Sequence, residues 1–119
     1  MQNLDTFYEA MGTTAKEIVG RLGGSADLVM RFLGKFPADE SFAQLKSALD
    51  ANDTETAFRA AHTMKGLCAN LGIQKLFEKS SEVTEMLRNN GDIEKAKAAL
   101  PDLDAEYQRV LACLKELGI

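Results

Sequence analysis

The sequence predicts an all-α fold, and three observations carry the prediction. Apolar residues recur at intervals of three and four along nearly the whole chain, which is the period of an amphipathic helix. The alternation of β-branched and polar residues that indicates a half-buried strand is almost absent. The connections between the helical patterns are short, which favours antiparallel neighbours. We therefore expect an up-down antiparallel four-helix bundle with additional short N-terminal helices.

Two short accessory helices are predicted over residues 1–24, ahead of the bundle. The first begins at Asn3, a residue type that caps helices, and extends to Met11. The second extends from about Thr13 to Leu22 and ends at two consecutive glycines. Residues 25–119 then form the helical bundle. Because a chain of 119 residues encloses one hydrophobic core but not two, we expect a single domain over residues 1–119.

Five longer helical patterns follow the accessory helices. Ser25 caps the first, which must end near Pro37, because the residue before a proline is disfavoured in the α conformation. Asn52 or Asp53 caps the third, and Gly72 ends it in a left-handed conformation. Since a four-helix bundle has no place for a fifth helix, the first of these patterns is expected to lie outside the bundle.

The second, fourth and last patterns are recognised by apolar stripes and by their ends. Phe42 and Leu45 begin the stripe of the second, and the fourth stops at an Asn-Asn-Gly turn. Asp92 caps the last pattern, which Pro101 is expected to kink or restart. These boundaries leave only short turns between neighbouring helices.

Composition excludes several classes of function. A formal net charge of -4 argues against nucleic-acid binding, which requires a basic surface. The chain has no apolar run of about eighteen residues that would span a membrane and no signal-peptide pattern at its start, so we expect a cytoplasmic protein. Cys68 and Cys113 lack CxxC spacing and are expected to be reduced core residues.

His62, the only histidine, lies in the third pattern on the side away from the core. On a helical projection the apolar residues fall opposite the imidazole. They are Ala57, Ala60, Ala61, Met64, Leu67, Cys68 and Leu71. Another set shares the side of His62, namely Phe58, Arg59, Lys65, Gly66 and Ala69. We therefore expect the imidazole to face solvent or a partner.

The residues beside His62 suit an exposed nucleophile. Gly66 costs the helix about 1 kcal/mol relative to alanine, but it removes the side chain next to His62 and, with the small Ala69, opens access. Lys65, three residues on, can attract a phosphate group. Imidazole is a nucleophile near neutral pH, since its ordinary pKa is about 6.5. Phe58 is either a docking contact or a core residue on this evidence.

The run His62-Thr63-Met64-Lys65-Gly66, continuing to Ala69-Asn70-Leu71-Gly72, resembles the phosphorylation motif of histidine-containing phosphotransfer (HPt) domains. The order of helices from residue 25 onward is also similar to that of this family, although Met64 stands where many members have leucine. The resemblance implies that His62 accepts a phosphoryl group from the aspartyl phosphate of one receiver domain and passes it to another. Lys65 and Gly66 match the supporting pair of the family motif.

The resemblance also implies further site residues, the partners of the protein and the chemistry that it leaves to those partners. Family members often have a polar or basic residue from the next helix near the histidine, and Thr84 and Arg88 are the candidates for this role and for partner binding, together with Phe58, Arg59 and Ala69. The expected partners are response-regulator receiver domains and a hybrid histidine kinase. The protein would be a monomeric phosphocarrier rather than an enzyme, without an ATP-binding kinase domain or a cofactor of its own. The receiver would supply Mg²⁺.

His62 has two other interpretations. A metal site is disfavoured, because one histidine and scattered carboxylates do not form a closed ligand set. A non-catalytic helical interaction module that docks receivers without phosphotransfer is the alternative function, and it is disfavoured by the intact set of His62, Lys65 and Gly66. No constellation of carboxylates suggests an acid-base enzyme.

Overall fold

The computed structural model describes residues 3–119, and every regular element within that range is a helix. A single 3-10 turn at Phe36–Ala38 separates the third and fourth α-helices. The α-helices are α1 (Leu4–Met11), α2 (Ala15–Arg21), α3 (Ala26–Lys35), α4 (Ser41–Asp50), α5 (Thr54–Leu71), α6 (Gln74–Leu87) and α7 (Ile93–Glu116). The predicted all-α fold is confirmed.

Helices α4 to α7 form the bundle. Helix α5 packs against both α4 and α6, and α7 packs against α6 and also contacts α4, which closes the bundle. Helix α3 lies outside these four and contacts α2 and α5, as the count of helical patterns predicts. The buried apolar residues of all seven helices form one cluster, so the accessory helices share the core of the bundle.

Side-chain caps set most helix starts where the sequence predicts them. Ser25, Asp53 and Asp92 each accept a hydrogen bond from the backbone N–H three residues later, at 3.0 to 3.2 Å. Of the two candidates for the start of α5, the structure selects Asp53, whereas Asn52 has a left-handed φ of 54°. Gly72 ends α5 with a φ of 73°, which confirms its predicted role.

Helix α7 continues through Pro101, so a restart at this residue is wrong. A proline inside a helix costs about 3 kcal/mol or more, because it lacks the N–H group and crowds the preceding turn. Ala96 and Leu103, one on each side of the proline, are fully or almost fully buried. Burial of both halves of α7 against the same core holds the helix together across Pro101.

The accessory helices cover the corner between α5 and α6. Phe7, Tyr8 and Ile18 have no exposed surface. The Tyr8 hydroxyl donates a hydrogen bond of 2.8 Å to the carbonyl oxygen of Leu71, in the last turn of α5. A Cβ atom at Gly72 would collide with the side chain of Ile18, so glycine is required here both for its backbone angle and for close approach. This packing fixes the C-terminal end of α5.

We expect Tyr8→Phe to lower the free energy of unfolding by about 1–3 kcal/mol, because the carbonyl group of Leu71 would stay buried without its hydrogen-bond donor. Tyr107→Phe is the matched control, since the half-buried Tyr107 hydroxyl makes no hydrogen bond within residues 3–119 and its ring remains in place. Chemical denaturation measures both variants. Equal losses in the two variants would contradict the role of the Tyr8 bond.

Stability should fall in alkaline solution. Burial raises the pKa of the Cys68 thiol from its usual 9.0 to about 12, and burial also raises the pKa of Tyr8. Above pH 9 the unfolded chain loses these protons while the folded chain keeps them, so the free energy of unfolding decreases as pH rises. Cys68→Ala should show a shallower decrease between pH 9 and 12 than the wild type, measured by denaturation at each pH. Identical slopes would contradict this account.

Candidate functional site

The site is built on α5, whose inner face is buried against its neighbours. The buried residues of this helix are Ala57, Ala60, Ala61, Met64, Cys68 and Leu71. Leu67, predicted to belong to this face, is instead half-buried and lines a groove of about 350 Å³ beside α3, together with Phe32. His62 is exposed, which confirms the predicted outward direction of the imidazole.

Two side chains extend the surface from His62 toward α6. The ring of Phe58 lies one turn before His62, with 5.9 Å between the ring centroids and 36° between the ring planes. Phe58 is half-buried and packs partly against the core, as the core interpretation expects, while the docking interpretation stays a prediction. The guanidinium carbon of Arg88 lies 5.2 Å from the centroid of Phe58, which is a cation-π distance. Imidazole, phenyl ring and guanidinium thus form a continuous surface.

Acidic residues pair with Arg88 and with Arg59, the residue that follows Phe58 on α5. Arg88 donates to Glu85 through Nε at 2.6 Å and Nη2 at 3.2 Å. Arg59 donates to Glu55 at 2.9 Å, and both side chains of this pair are at least 70% exposed. Exposed ion pairs stabilise a protein by only about 0–1 kcal/mol, so either arginine can be released by a competing anion.

On the other side of His62, toward the C-terminus of α5, the helix has small residues. A Cβ atom added at Gly66 would find no atom within 4 Å outside its chain neighbours and the nearby backbone of α5, so this glycine is not required for helix packing. Lys65 and Ala69 are half-buried. The carbonyl oxygen of Ala69 accepts a hydrogen bond of 3.3 Å from Arg21, which places a further cation near this end of the surface. The surface next to His62 is therefore open at Gly66, one turn toward the C-terminus of α5.

Thr84 does not reach the surface, and its predicted role in partner binding is wrong. The residue has no exposed area, and its hydroxyl donates a hydrogen bond of 2.6 Å to the carbonyl oxygen of Ser80. Arg88, four residues later, was expected on the same face. Helix α6 ends at Leu87, however, and Arg88 just beyond this end is exposed, with its guanidinium group over the ring of Phe58.

Glu85 also belongs to this surface, although no motif in the sequence includes it. Its hydrogen bond with Arg88 holds the pKa of the Glu85 carboxyl below its usual range, and the charge of Lys65 on α5 acts in the same direction. The spacing of Glu85 and Arg88 was a local signal for the pair. Proximity of Glu85 to Lys65, in contrast, depends on how α5 and α6 pack.

Within residues 3–119 no three histidine, cysteine or carboxylate side chains cluster as metal ligands would. None of the described helices combines the length and apolar character needed to cross a bilayer.

Comparison with known proteins identifies the family. The model of the Hpt domain family matches residues 32–113, which is more than half of the chain, and the protein therefore belongs to the Hpt domain family. Domains of this family act in histidine phosphotransfer in phosphorelays, as phosphocarriers rather than as kinase domains. A search of curated proteins and a search of solved structures each returned no match.

Proposed function

We propose that this protein is a phosphocarrier of a two-component phosphorelay, and that His62 accepts and donates the phosphoryl group. One observation supports the assignment most directly. The chain has a single histidine, and this residue is exposed on α5 beside the open surface of Gly66. A member of a histidine phosphotransfer family with one histidine has one possible acceptor.

The transfer step is a displacement at phosphorus. A lone pair on a nitrogen of the neutral imidazole forms the N–P bond, the P–O bond to the aspartate of the receiver breaks, and the aspartate leaves as a carboxylate. A second receiver reverses the step with its own aspartate. In-line attack requires the receiver to approach the imidazole closely, and the open space at Gly66 together with the small Ala69 permits this approach.

Cations of this chain help to hold the transferred group. Lys65 is one turn from His62 and its ammonium group suits a phosphoryl oxygen as a point charge. Arg88, held over Phe58, is a second cation within the same surface. The Mg²⁺ ion and an acidic pocket belong to the receiver in this proposal, so the partner provides most of the electrostatic stabilisation of the transition state.

The partners in this proposal are response-regulator receiver domains and a hybrid histidine kinase, which contact Phe58, Arg59, Ala69 and Arg88. The half-buried Phe58 provides an apolar contact at the edge of the His62 surface, where a helix facing only water would carry a polar residue. The protein works as a cytoplasmic monomer and takes its phosphoryl group from partners rather than from ATP.

The acceptor is tested with a receiver phosphorylated by a radiolabelled donor in the presence of Mg²⁺. We expect acid-labile, base-stable label on the wild type and none on His62→Gln, because only a phosphoramidate bond has this stability. Circular dichroism should show equal helix content, since His62 is exposed. Tight binding of the receiver without label would instead support the docking module that transfers no phosphate.

Substitution of Gly66 separates access from helix stability. Gly66→Gln should slow transfer by about tenfold to a hundredfold, because a long side chain next to His62 displaces the reacting groups. The same change should raise rather than lower the free energy of unfolding, by up to about 1 kcal/mol, since glycine is a poor helix former.

Gly66→Ala is the matched control for side-chain size. It should give a similar gain in stability and a much smaller loss of transfer rate, because one methyl group leaves most of the space open. Initial rates from the phosphorylated receiver and denaturation curves are compared for both variants. A wild-type transfer rate in Gly66→Gln would contradict the proposal that the glycine provides access.

A further inference from the structure

Glu85 is placed to compete with a phosphoryl group for the cations around His62. It binds Arg88 through both carboxylate oxygens. Arg88 in turn lies over the ring of Phe58, and this ring lies beside the imidazole of His62 on α5. The charge of Lys65 also acts on Glu85. One carboxylate on α6 therefore binds Arg88 directly and also interacts with the charge of Lys65, and both of these cations lie near His62.

The ion pair of Arg88 and Glu85 is weak enough for Arg88 to exchange Glu85 for another anion. The side chains of Arg88 and Glu85 are 42% and 58% exposed, so water screens their attraction. A phosphoryl group carries more negative charge than a carboxylate and binds arginine through two oxygens equally well. The guanidinium group of Arg88 can therefore leave Glu85 and bind the phosphoryl group at little cost in free energy. A buried ion pair could not be exchanged in this way.

We infer that Glu85 is a positioning residue that holds Arg88 on Phe58 in the unphosphorylated protein and limits how strongly the site retains a phosphoryl group. This inference rests on the proposed function of His62. Transfer to His62 exchanges the Arg88–Glu85 contact for a contact of Arg88 with the phosphoryl group, and it places the released carboxylate near a second anion. Both effects lower the stability of the phosphohistidine and favour delivery of the group to the next receiver.

The first test measures the position of the transfer equilibrium. Glu85→Gln should raise the equilibrium ratio of phosphohistidine to receiver aspartyl phosphate by about threefold to tenfold, the size expected when one unit charge is removed from a mostly aqueous surface. Glu82→Gln is the matched control, because Glu82 is an exposed acid of the same helix without a salt bridge in residues 3–119. An equal rise in both variants would show a general charge effect and overturn the inference.

Arg88 tests whether the effect of Glu85 passes through this arginine. In an Arg88→Gln background, Glu85→Gln should change the equilibrium by less than half of its effect, on a logarithmic scale, in the wild-type background. An undiminished effect would contradict competition for Arg88.

The second test does not depend on any receiver. Phosphoramidate labels histidine directly: its N–P bond breaks, ammonia leaves and the imidazole nitrogen takes the phosphoryl group. NMR then follows the Nε–H resonance of Arg88, which should shift on phosphorylation in the wild type as the bond to Glu85 is exchanged. In Glu85→Gln the resonance of the unlabelled protein should already differ, and the ³¹P resonance of the phosphohistidine should match that of the wild type.

This arrangement separates failure of the inference from failure of the proposed function. Labelling of His62 by phosphoramidate without exchange to any receiver would refute the phosphorelay role, while the Arg88 resonance would still report whether Glu85 competes. An Arg88 resonance that does not respond to phosphorylation, in a protein that exchanges phosphate normally with receivers, would overturn the inference alone.

Discussion

The burial of one face of α5 determines the rest of the site. Ala57, Ala60 and Ala61 let α4 and α6 approach this helix closely, and Met64 and Cys68 fill the remaining space of the core. Because the helical period fixes the direction of each side chain, this burial leaves His62 on the solvent side, where its ring lies beside that of Phe58. Substitutions that rotate α5 would move the imidazole even if they were far from it.

Residues that depend on local rules were predictable from the sequence. The start of α5 near Asp53, its end at Gly72 and the outward direction of His62 follow from caps, backbone angles and helical period. Thr84 and Arg88 were predicted to share one role, but Thr84 is buried in the packed part of α6, whereas Arg88 lies just beyond the end of this helix at Leu87 and is exposed. Boundaries of this kind depend on tertiary packing and are the least predictable part of a helix.

The positive charges near His62 could not be recognised as a group from the sequence. The chain is acidic overall, with a net charge of -4, yet Lys65, Arg88 and Arg21 are near the surface of α5 that carries His62. Arg21 lies in α2, Lys65 in α5 and Arg88 just after the end of α6, so no run of basic residues in the sequence indicates the cluster. Packing of α2 and α6 against α5 brings these cations together, so only the three-dimensional arrangement shows that an acidic protein carries a local group of positive charges near His62.

The hydrogen bond from Tyr8 to Leu71 has a consequence for the size of the transferable unit. The family match begins at residue 32, but Phe7, Tyr8 and Ile18 belong to the same core as the bundle. A chimera that joined another sequence at residue 32 would uncover the corner where α5 meets α6 and expose apolar surface there. The segment that could be transferred as a folded unit is thus longer than the region that matches the family model. A junction placed upstream of α1 would keep the hydrophobic core intact.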